Sequence, residues 1–280
     1  MCLVAYEHGK TNIKYSNPDN PLWAVINITN HCNMNCGFCF NKGNFESNMS
    51  FDEFSIILDK LVSIDIKQIS FCGGEPTLHP NLESMLTLVK NSGVKAHLLT
   101  NGTKIDFIYH LDSIKLLDQI QFNWNINTYK ILLPLIQSIV NTRIAITIPG
   151  TEDNINNIEE LILSARDNNI DKIRIWELCG SGRTLTSASI QDYDAIVHSL
   201  IPNEYSYKQS YDPEIDADLH IPCMIASGVA MFINSNGDII RCIAELNSPI
   251  IANILDDTSD TILKKYKEYI STLSKICYAR

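Results

Sequence analysis

Cys32, Cys36 and Cys39 fall within eight residues, in the order Cys-x-x-x-Cys-x-x-Cys. A closed tetrahedral zinc site is built from four ligands, usually as paired short spacings with a second pair further along the chain. Three thiolates at a four-residue and then a three-residue step fit that scheme badly. Compact cysteine runs of this kind hold iron–sulfur clusters. A four-iron cube tied by three cysteines leaves one iron open to another ligand, and chemistry is expected at that open corner. Asn33, Asn35 and Gly37, between the cysteines, are small or polar and suit a tight loop. The apolar run Trp23-Ala24-Val25-Ile26-Asn27-Ile28 leads into the loop and reads as the strand that positions it.

Three more groups of residues end strand-like runs. Gly73-Gly74-Glu75-Pro76 follows Lys67 to Cys72. Adjacent glycines permit close approach of a ligand to the backbone. Their N–H groups can meet a carboxylate or phosphate, and Glu75 can accept from an ammonium. Cys72 reads as a small buried residue. Leu98-Leu99-Thr100-Asn101-Gly102 ends the run from Val94, and Gln121-Phe122-Asn123-Trp124-Asn125 ends another. Arg183 follows Ile173-Arg174-Ile175-Trp176 and Gly180-Ser181-Gly182.

On these residues the chain closely resembles the radical S-adenosylmethionine (radical SAM) superfamily. That family's signature is Cys-x-x-x-Cys-x-aromatic-Cys, and Phe38 fills the aromatic place. The resemblance implies a [4Fe-4S] cluster on Cys32, Cys36 and Cys39, with SAM on the open iron and Phe38 near its adenine. It implies reductive cleavage of SAM to a 5′-deoxyadenosyl radical that abstracts a hydrogen atom. Gly73, Gly74, Glu75 and Pro76 match the family's GGEP, which binds the methionyl end of SAM, and Asn101 matches its TNG. Asn123 stands where relatives often carry Ser-x-Asp. The position departs from that pattern and is the candidate for the SAM ribose. Arg183 resembles a basic residue found after the sixth strand; it meets the SAM carboxylate or is a solvated loop arginine.

The chain has 280 residues, 45% of them hydrophobic, enough for one large domain or one domain with a small appendage. A net charge of −10 argues against a nucleic-acid backbone as the main partner. No apolar run reaches the length of a membrane span, so no membrane partner is expected. Nine cysteines and no secretory h-region point to reduced thiols and the cytoplasm.

Strand-like runs recur near 23–28, 67–72, 94–99, 119–124, 143–148 and 172–177, with helical patterns between them. Ser50 and Glu53 form a capping box ahead of a helix face of Phe51, Phe54, Leu58, Leu61 and Val62. Leu82, Met85, Leu86 and Val89 form the next face, stopped by Gly93, and Ile158, Leu161, Ile162 and Ala165 another. Alternating strands and helices predict an α/β fold with a parallel sheet and right-handed crossovers. Six such units match the partial (β/α)6 barrel that the resemblance implies. Residues 1–22 are then an N-terminal segment, 23–185 the barrel and 186–280 a C-terminal extension. Every motif falls at a strand's C-terminal end, where βα barrels gather their chemistry.

In the extension, Ile190, Tyr193, Val197 and Leu200 suit a helix, and Asn236-Gly237 between apolar runs signals a hairpin over 228–242. Ile262, Tyr266, Tyr269, Ile270 and Leu273 suit a last helix packed on the barrel. Cys223, thirteen residues, Gly237, four residues and Cys242 resemble the opening of SPASM and twitch extensions, which hold auxiliary iron–sulfur clusters. By that resemblance Cys179, Cys223, Cys242 and Cys277 ligate a second cluster. Otherwise Cys223 and Cys242 are remnants, or one of them is a hydrogen-atom donor.

The expected function is a radical SAM enzyme of oxidoreductase or transferase type. Short extensions with a cysteine-bearing hairpin accompany enzymes that modify ribosomal peptides, so a peptide is the first substrate expectation. About 22 residues precede the first strand, too few for a fused leader-peptide recognition domain. A nucleotide or other small molecule is the alternative, as in viperin-like synthases or the GTP cyclase of molybdenum-cofactor synthesis. A non-catalytic iron–sulfur or zinc protein is the alternative of another class. The electron donor would be a flavodoxin or ferredoxin. His31, His79 and His97 adjoin motifs and are read as structural.

Overall fold

The computed structural model describes residues 4–5, 20–39, 47–168, 170, 172–176, 228–242 and 248–273. Six strands alternate with helices as the periodicity predicts. They are β2 (Trp23–Thr29), β3 (Gln68–Gly73), β4 (Lys95–Thr100), β5 (Gln119–Asn123), β6 (Arg143–Pro149) and β7 (Lys172–Trp176). They lie side by side in chain order, each parallel to the next. A two-residue strand, β1 (Val4–Ala5), pairs antiparallel with β7 and ends that side of the sheet.

Helices α1 (Phe51–Ser63), α2 (Leu82–Asn91), α3 (Ile105–Ser113), α4 (Tyr129–Ser138), α5 (Glu152–Asn156) and α6 (Ile158–Asp167) fill the crossovers. The capping box at α1 is present: Ser50 N–H donates to Glu53 Oε2 at 2.7 Å, and Glu53 N–H donates to Ser50 Oγ at 3.2 Å. Such a cap stabilises a helix start by about 1 kcal/mol. The buried face of α1 is Phe54, Ile57, Leu58 and Leu61. Val62, expected on that face, is 42% exposed, because Ile57 rather than Val62 completes the stripe that meets the sheet. The faces expected for α2 and α6 are buried as read.

The opposite edge of the sheet was not legible as such. The hairpin strands β8 (Ala230–Ile233) and β9 (Asp238–Ile240) do not form a detached unit. β8 pairs parallel with β2, Ala230 opposite Trp23 through Ile233 opposite Ile26. β9 and then β10 (Ile250–Asn253) follow antiparallel, giving a ten-stranded sheet. The last helix, α7 (Ser259–Thr272), buries Ile262 and Tyr266, and the Tyr266 hydroxyl donates to the Ala230 carbonyl. Lys60 of α1 donates from Nζ to the carbonyls of Ile254, Leu255 and Asp257 at 2.8–2.9 Å, fastening the extension to the barrel's first helix. The helix expected around Ile190 to Leu200 lies outside the described residues. Among the described residues no helix is long and apolar enough to cross a membrane.

The strand faces are divided. Phe71, Leu98, Ile120, Phe122 and Ile146 join the apolar core with the helices. The alternate residues line the other face: Ser70, His97 and Gln119 stand in one row, and Gln121 Nε2 donates to Thr147 Oγ1 at 2.7 Å. The parallel strands thus present an apolar back to the helices and a polar front to the barrel interior.

Candidate active site

All the predicted strand-end motifs within the described residues gather at one end of the sheet. The loop after β2 carries Cys32, exposed, and Cys36 and Cys39, half-buried. It turns tightly: Cys39 N–H donates to the Cys36 carbonyl at 3.1 Å, and Met34 N–H points at Cys32 Sγ at 3.4 Å. Burial raises the Cys36 thiol, and the charges of Cys39 and Cys32 raise it further. The three sulfurs are therefore near enough to repel one another as thiolates. A bound polynuclear cation relieves that repulsion. Three thiols in one short loop, one fewer than the four ligands of a closed zinc site, suit an iron–sulfur cluster with an open corner. Phe38, between the last two cysteines, is half-buried.

Asn33 ties this loop to the turn after β4. Asn101 Nδ2 donates to Asn33 Oδ1 at 2.9 Å, Asn33 Nδ2 donates to Thr103 Oγ1 at 2.8 Å, and Thr103 donates to Asn101 Oδ1 at 2.7 Å. In the sequence Asn33 is a small polar residue of the cysteine loop. Its spacing to Asn101 gives no sequence signal, since the two meet only through the fold.

The GGEP turn is built differently from the sequence expectation. Gly74 N–H donates to the Thr29 carbonyl and Glu75 N–H to the His31 carbonyl, each at 2.7 Å. These two N–H groups hold the turn against the end of β2 and do not face a ligand. A Cβ on Gly74 would lie 2.2 Å from the His31 carbonyl oxygen, and one on Gly73 would lie 2.2 Å from that of Thr29. The glycines are needed because two backbones touch here. Pro76 is buried and opens a 3-10 turn over Pro76–Leu78.

Glu75 is 1% exposed. Its carboxylate accepts from Thr77 N–H at 3.0 Å, Thr77 Oγ1 at 2.6 Å, Thr100 Oγ1 at 2.7 Å and Asn101 N–H at 2.7 Å. Three of the four donors converge on Oε1, and Oε2 accepts only from Asn101. Glu75 therefore clasps the turns after β3 and β4 together, chiefly through Oε1, while Oε2 takes one donor and keeps a lone pair for the ammonium contact expected of it.

Asn123 ends β5, next to Thr147 of β6. Its Oδ1 is buried and has no hydrogen-bond partner among the described residues. An unpartnered buried acceptor is costly unless something supplies a donor. A ligand hydroxyl at this strand end would do so, which fits the expectation for a ribose. Gln119 Nε2, deeper on the same strand, is likewise buried and has no partner among the described residues. His79 is buried: Asn81 N–H donates to Nδ1 at 3.1 Å, which leaves Nε2–H to donate to the Met49 carbonyl at 2.8 Å. It is a structural histidine, as read.

Cys242 is buried. β9 runs back along β8 with Ile240 opposite Phe232, so Cys242 lies toward the end of the sheet where β2 begins, away from the cysteine loop. Cys179, Cys223, Cys277 and Arg183 lie outside the described residues.

The Radical SAM superfamily model matches residues 26–175 of the chain, from β2 into β7. Over 97 residues the chain is 33% identical to the Fe-coproporphyrin III synthase of Methanosarcina barkeri; the stretch is 34% of this chain and 24% of that enzyme. The match thus spans about a quarter of that relative's length. An uncharacterised protein of Methanocaldococcus jannaschii is 25% identical over 281 aligned residues, 91% of this chain and 94% of that protein. Among solved structures, Streptococcus suis SuiB bound to its precursor peptide SuiA aligns with a TM-score of 0.71 at 20% identity, covering 91% of this chain and 68% of SuiB. At that identity the likeness is one of fold.

Proposed function

The chain belongs to the radical SAM superfamily, and from that membership we propose that it modifies a ribosomally made peptide by abstracting a hydrogen atom. The family implies an enzyme that uses a [4Fe-4S] cluster and SAM. When bound, these supply one electron to the sulfonium and a 5′-deoxyadenosyl radical as the abstracting species. Everything else falls to the chain. Cys32, Cys36 and Cys39 hold three corners of the cluster. Phe38 flanks the adenine. The turn from Gly73 to Pro76 shapes the methionyl pocket by its backbone, while Glu75 holds that turn and Asn101 in place. Asn123 accepts a ribose hydroxyl at its unpartnered Oδ1. Arg183 meets the SAM carboxylate. The polar front of β3 to β6 receives the substrate away from bulk water.

Residues 186–280 serve as a twitch-like extension of the barrel over 23–185. Cys179, Cys223, Cys242 and Cys277 are the ligands available to a second cluster. A flavodoxin or ferredoxin delivers the electron.

The observation that carries the peptide reading is the breadth of the likeness to SuiB. It covers 91% of this chain, more than the barrel accounts for, and SuiB was captured with a precursor peptide. A small-molecule substrate is the second reading, favoured by the 33% identity to the Fe-coproporphyrin III synthase around the shared motifs. The test is to incubate the reduced, reconstituted protein with SAM and short peptides encoded beside its gene. Release of 5′-deoxyadenosine together with a changed peptide mass supports the proposal. Release that depends on a tetrapyrrole or nucleotide and never on a peptide sinks it.

A further inference from the structure

The loop that carries the three cysteines leaves the sheet at Asn30 and returns at Ser47. Its neck is pinned by backbone bonds: Asn30 N–H donates to the Ser47 carbonyl at 3.0 Å and Met49 N–H to the Ile28 carbonyl at 2.9 Å. Thr29 and Asn48 form an isolated antiparallel bridge there. A third segment, distant in sequence, joins the same neck. Ser235 sits in the turn between β8 and β9 and is 7% exposed. Its hydroxyl shares a hydrogen bond of 2.7 Å with the Ser47 hydroxyl. Asn30 Nδ2 donates to Ser47 Oγ at 2.7 Å and reaches Ser235 Oγ at 3.4 Å. Asn30 Oδ1 accepts from Asn27 Nδ2 at 2.8 Å, so the Asn30 amide is fixed from both ends.

The register explains how Ser235 arrives. β8 lies parallel beside β2 with Ile233 opposite Ile26, so the turn that follows β8 comes level with the residues that follow β2. The turn itself is fixed by Asn234, whose Oδ1 accepts the N–H groups of Asn236 and Asp238 at 2.9 Å each. β2 therefore has a neighbour on each side that grips its end. The Gly73–Glu75 turn holds Thr29 and His31 from the β3 side, and Ser235 holds Asn30 and Ser47 from the β8 side.

We propose that the C-terminal hairpin braces the cysteine loop, with Ser235 as a positioning residue that holds the two ends of the loop together through Asn30 and Ser47. The proposal rests on the reading that this loop holds the cluster. The extension then has a task at the radical centre that does not depend on any cluster of its own. The network is part-buried, with Ser235 itself 7% exposed, and a hydrogen bond shielded from water in this way is worth more than an exposed one. Removing one such bond costs about 1 kcal/mol, about a five-fold change in the population of an opened loop.

The test uses the full chain, reconstituted anaerobically, and follows iron removal by a strong chelator alongside the electron-paramagnetic signal of the reduced cluster. The phase of iron release that is missing from Cys36→Ala belongs to the loop's cluster. In Ser235→Ala that phase is expected to quicken about five-fold, with an altered signal and little change in thermal midpoint. Ser47→Ala removes the same bond together with the one Asn30 Nδ2 gives to Ser47 Oγ, so it should quicken release at least as much, and the double variant should be little faster than Ser47→Ala alone. Ser47→Thr keeps the hydroxyl and should behave as wild type, as should Asn236→Ala in the exposed part of the turn. Release rates and signals in Ser235→Ala and Ser47→Ala that match wild type overturn the brace. Iron release that is the same in Cys36→Ala as in wild type overturns the cluster reading instead.

Discussion

The carboxylate of Glu75 accepts the backbone N–H of Asn101 at 2.7 Å, joining the turn after β3 to the turn after β4 beneath the candidate SAM site. Three further donors, from Thr77 and Thr100, converge on its other oxygen. Glu75→Gln replaces one acceptor oxygen with an NH2 that faces a donor. It is expected to lower stability by about 1–3 kcal/mol. Glu75→Ala strands all four donors and should cost more. Denaturant midpoints for the two variants check the order, and SAM affinity should fall with them. A Glu75→Gln protein with wild-type stability and weakened SAM binding would instead make Glu75 a direct ligand.

Gly74→Ala places a methyl group 2.2 Å from the His31 carbonyl oxygen, a contact that can be relieved only by moving backbone. The end of β2 and the base of the cysteine loop must shift together. A loss of more than about 2 kcal/mol is expected, along with lower iron content after reconstitution. Gly93→Ala is the comparison: no atom lies within 4 Å of its new Cβ, so only the strain of its positive φ remains. Reconstitution of that variant should be unimpaired.

The barrel was legible because its signals are local and repeated. Apolar runs, helix stripes and the Ser50–Glu53 cap each lie within a dozen residues and agree with one another. The cysteine loop and the strand-end turns were legible because their residue types do little else at such spacing. The roles inside the site were less so. Glu75 carries the same letter whether it meets a ligand or four internal donors, and only the fold brings Thr77, Thr100 and Asn101 to it. The pairing of β8 with β2 joins residues about two hundred positions apart, and no periodicity within the hairpin encodes that edge. Asn33 and Ser235 gained their roles in the same way, through contacts that cross the sheet.

Cys36→Ala removes the middle of the three cluster thiols. Iron bound at the loop and formation of 5′-deoxyadenosine are both expected to vanish. Cys72→Ala is the matching control: the thiol lies buried within β3, outside the cysteine loop, and burial pushes it up to about 12. Its variant should keep the cluster. Iron analysis and product chromatography on both proteins decide the point, and a Cys36→Ala protein with unchanged iron would contradict the assignment.

His79 gives the stability a pH dependence. Burial lowers its pKa below the ordinary value of about 6.5, against a smaller opposing pull from its bond to the Met49 carbonyl. The unfolded chain then binds the proton more readily than the folded one. The stabilisation is complete above about pH 6.5 and is lost as the pH falls from there toward the folded-state pKa. Urea midpoints measured from pH 7.5 down to 5.5 should decline. His79→Gln should flatten that decline while lowering stability at pH 7.5, where the Met49 carbonyl loses its present donor geometry.

Asn123 offers the most direct reading of the SAM site, because its Oδ1 is buried and unpartnered while its strand end faces the cysteine loop's side of the sheet. If a ligand hydroxyl supplies the missing donor, Asn123→Ala removes one hydrogen bond from the complex and relieves one cost in the free protein. The first effect weakens binding by about 1 kcal/mol and the second favours the unliganded state. Together they predict a five- to ten-fold weaker affinity for SAM, about 1–1.4 kcal/mol, with unchanged or slightly higher stability without ligand. A residue that merely packed the strand end would show the opposite on both counts: lower stability and the same affinity. Asn123→Asp keeps an acceptor at the position and should retain most of the affinity. Equilibrium binding of SAM to the reconstituted variants, paired with their thermal midpoints, separates the two roles.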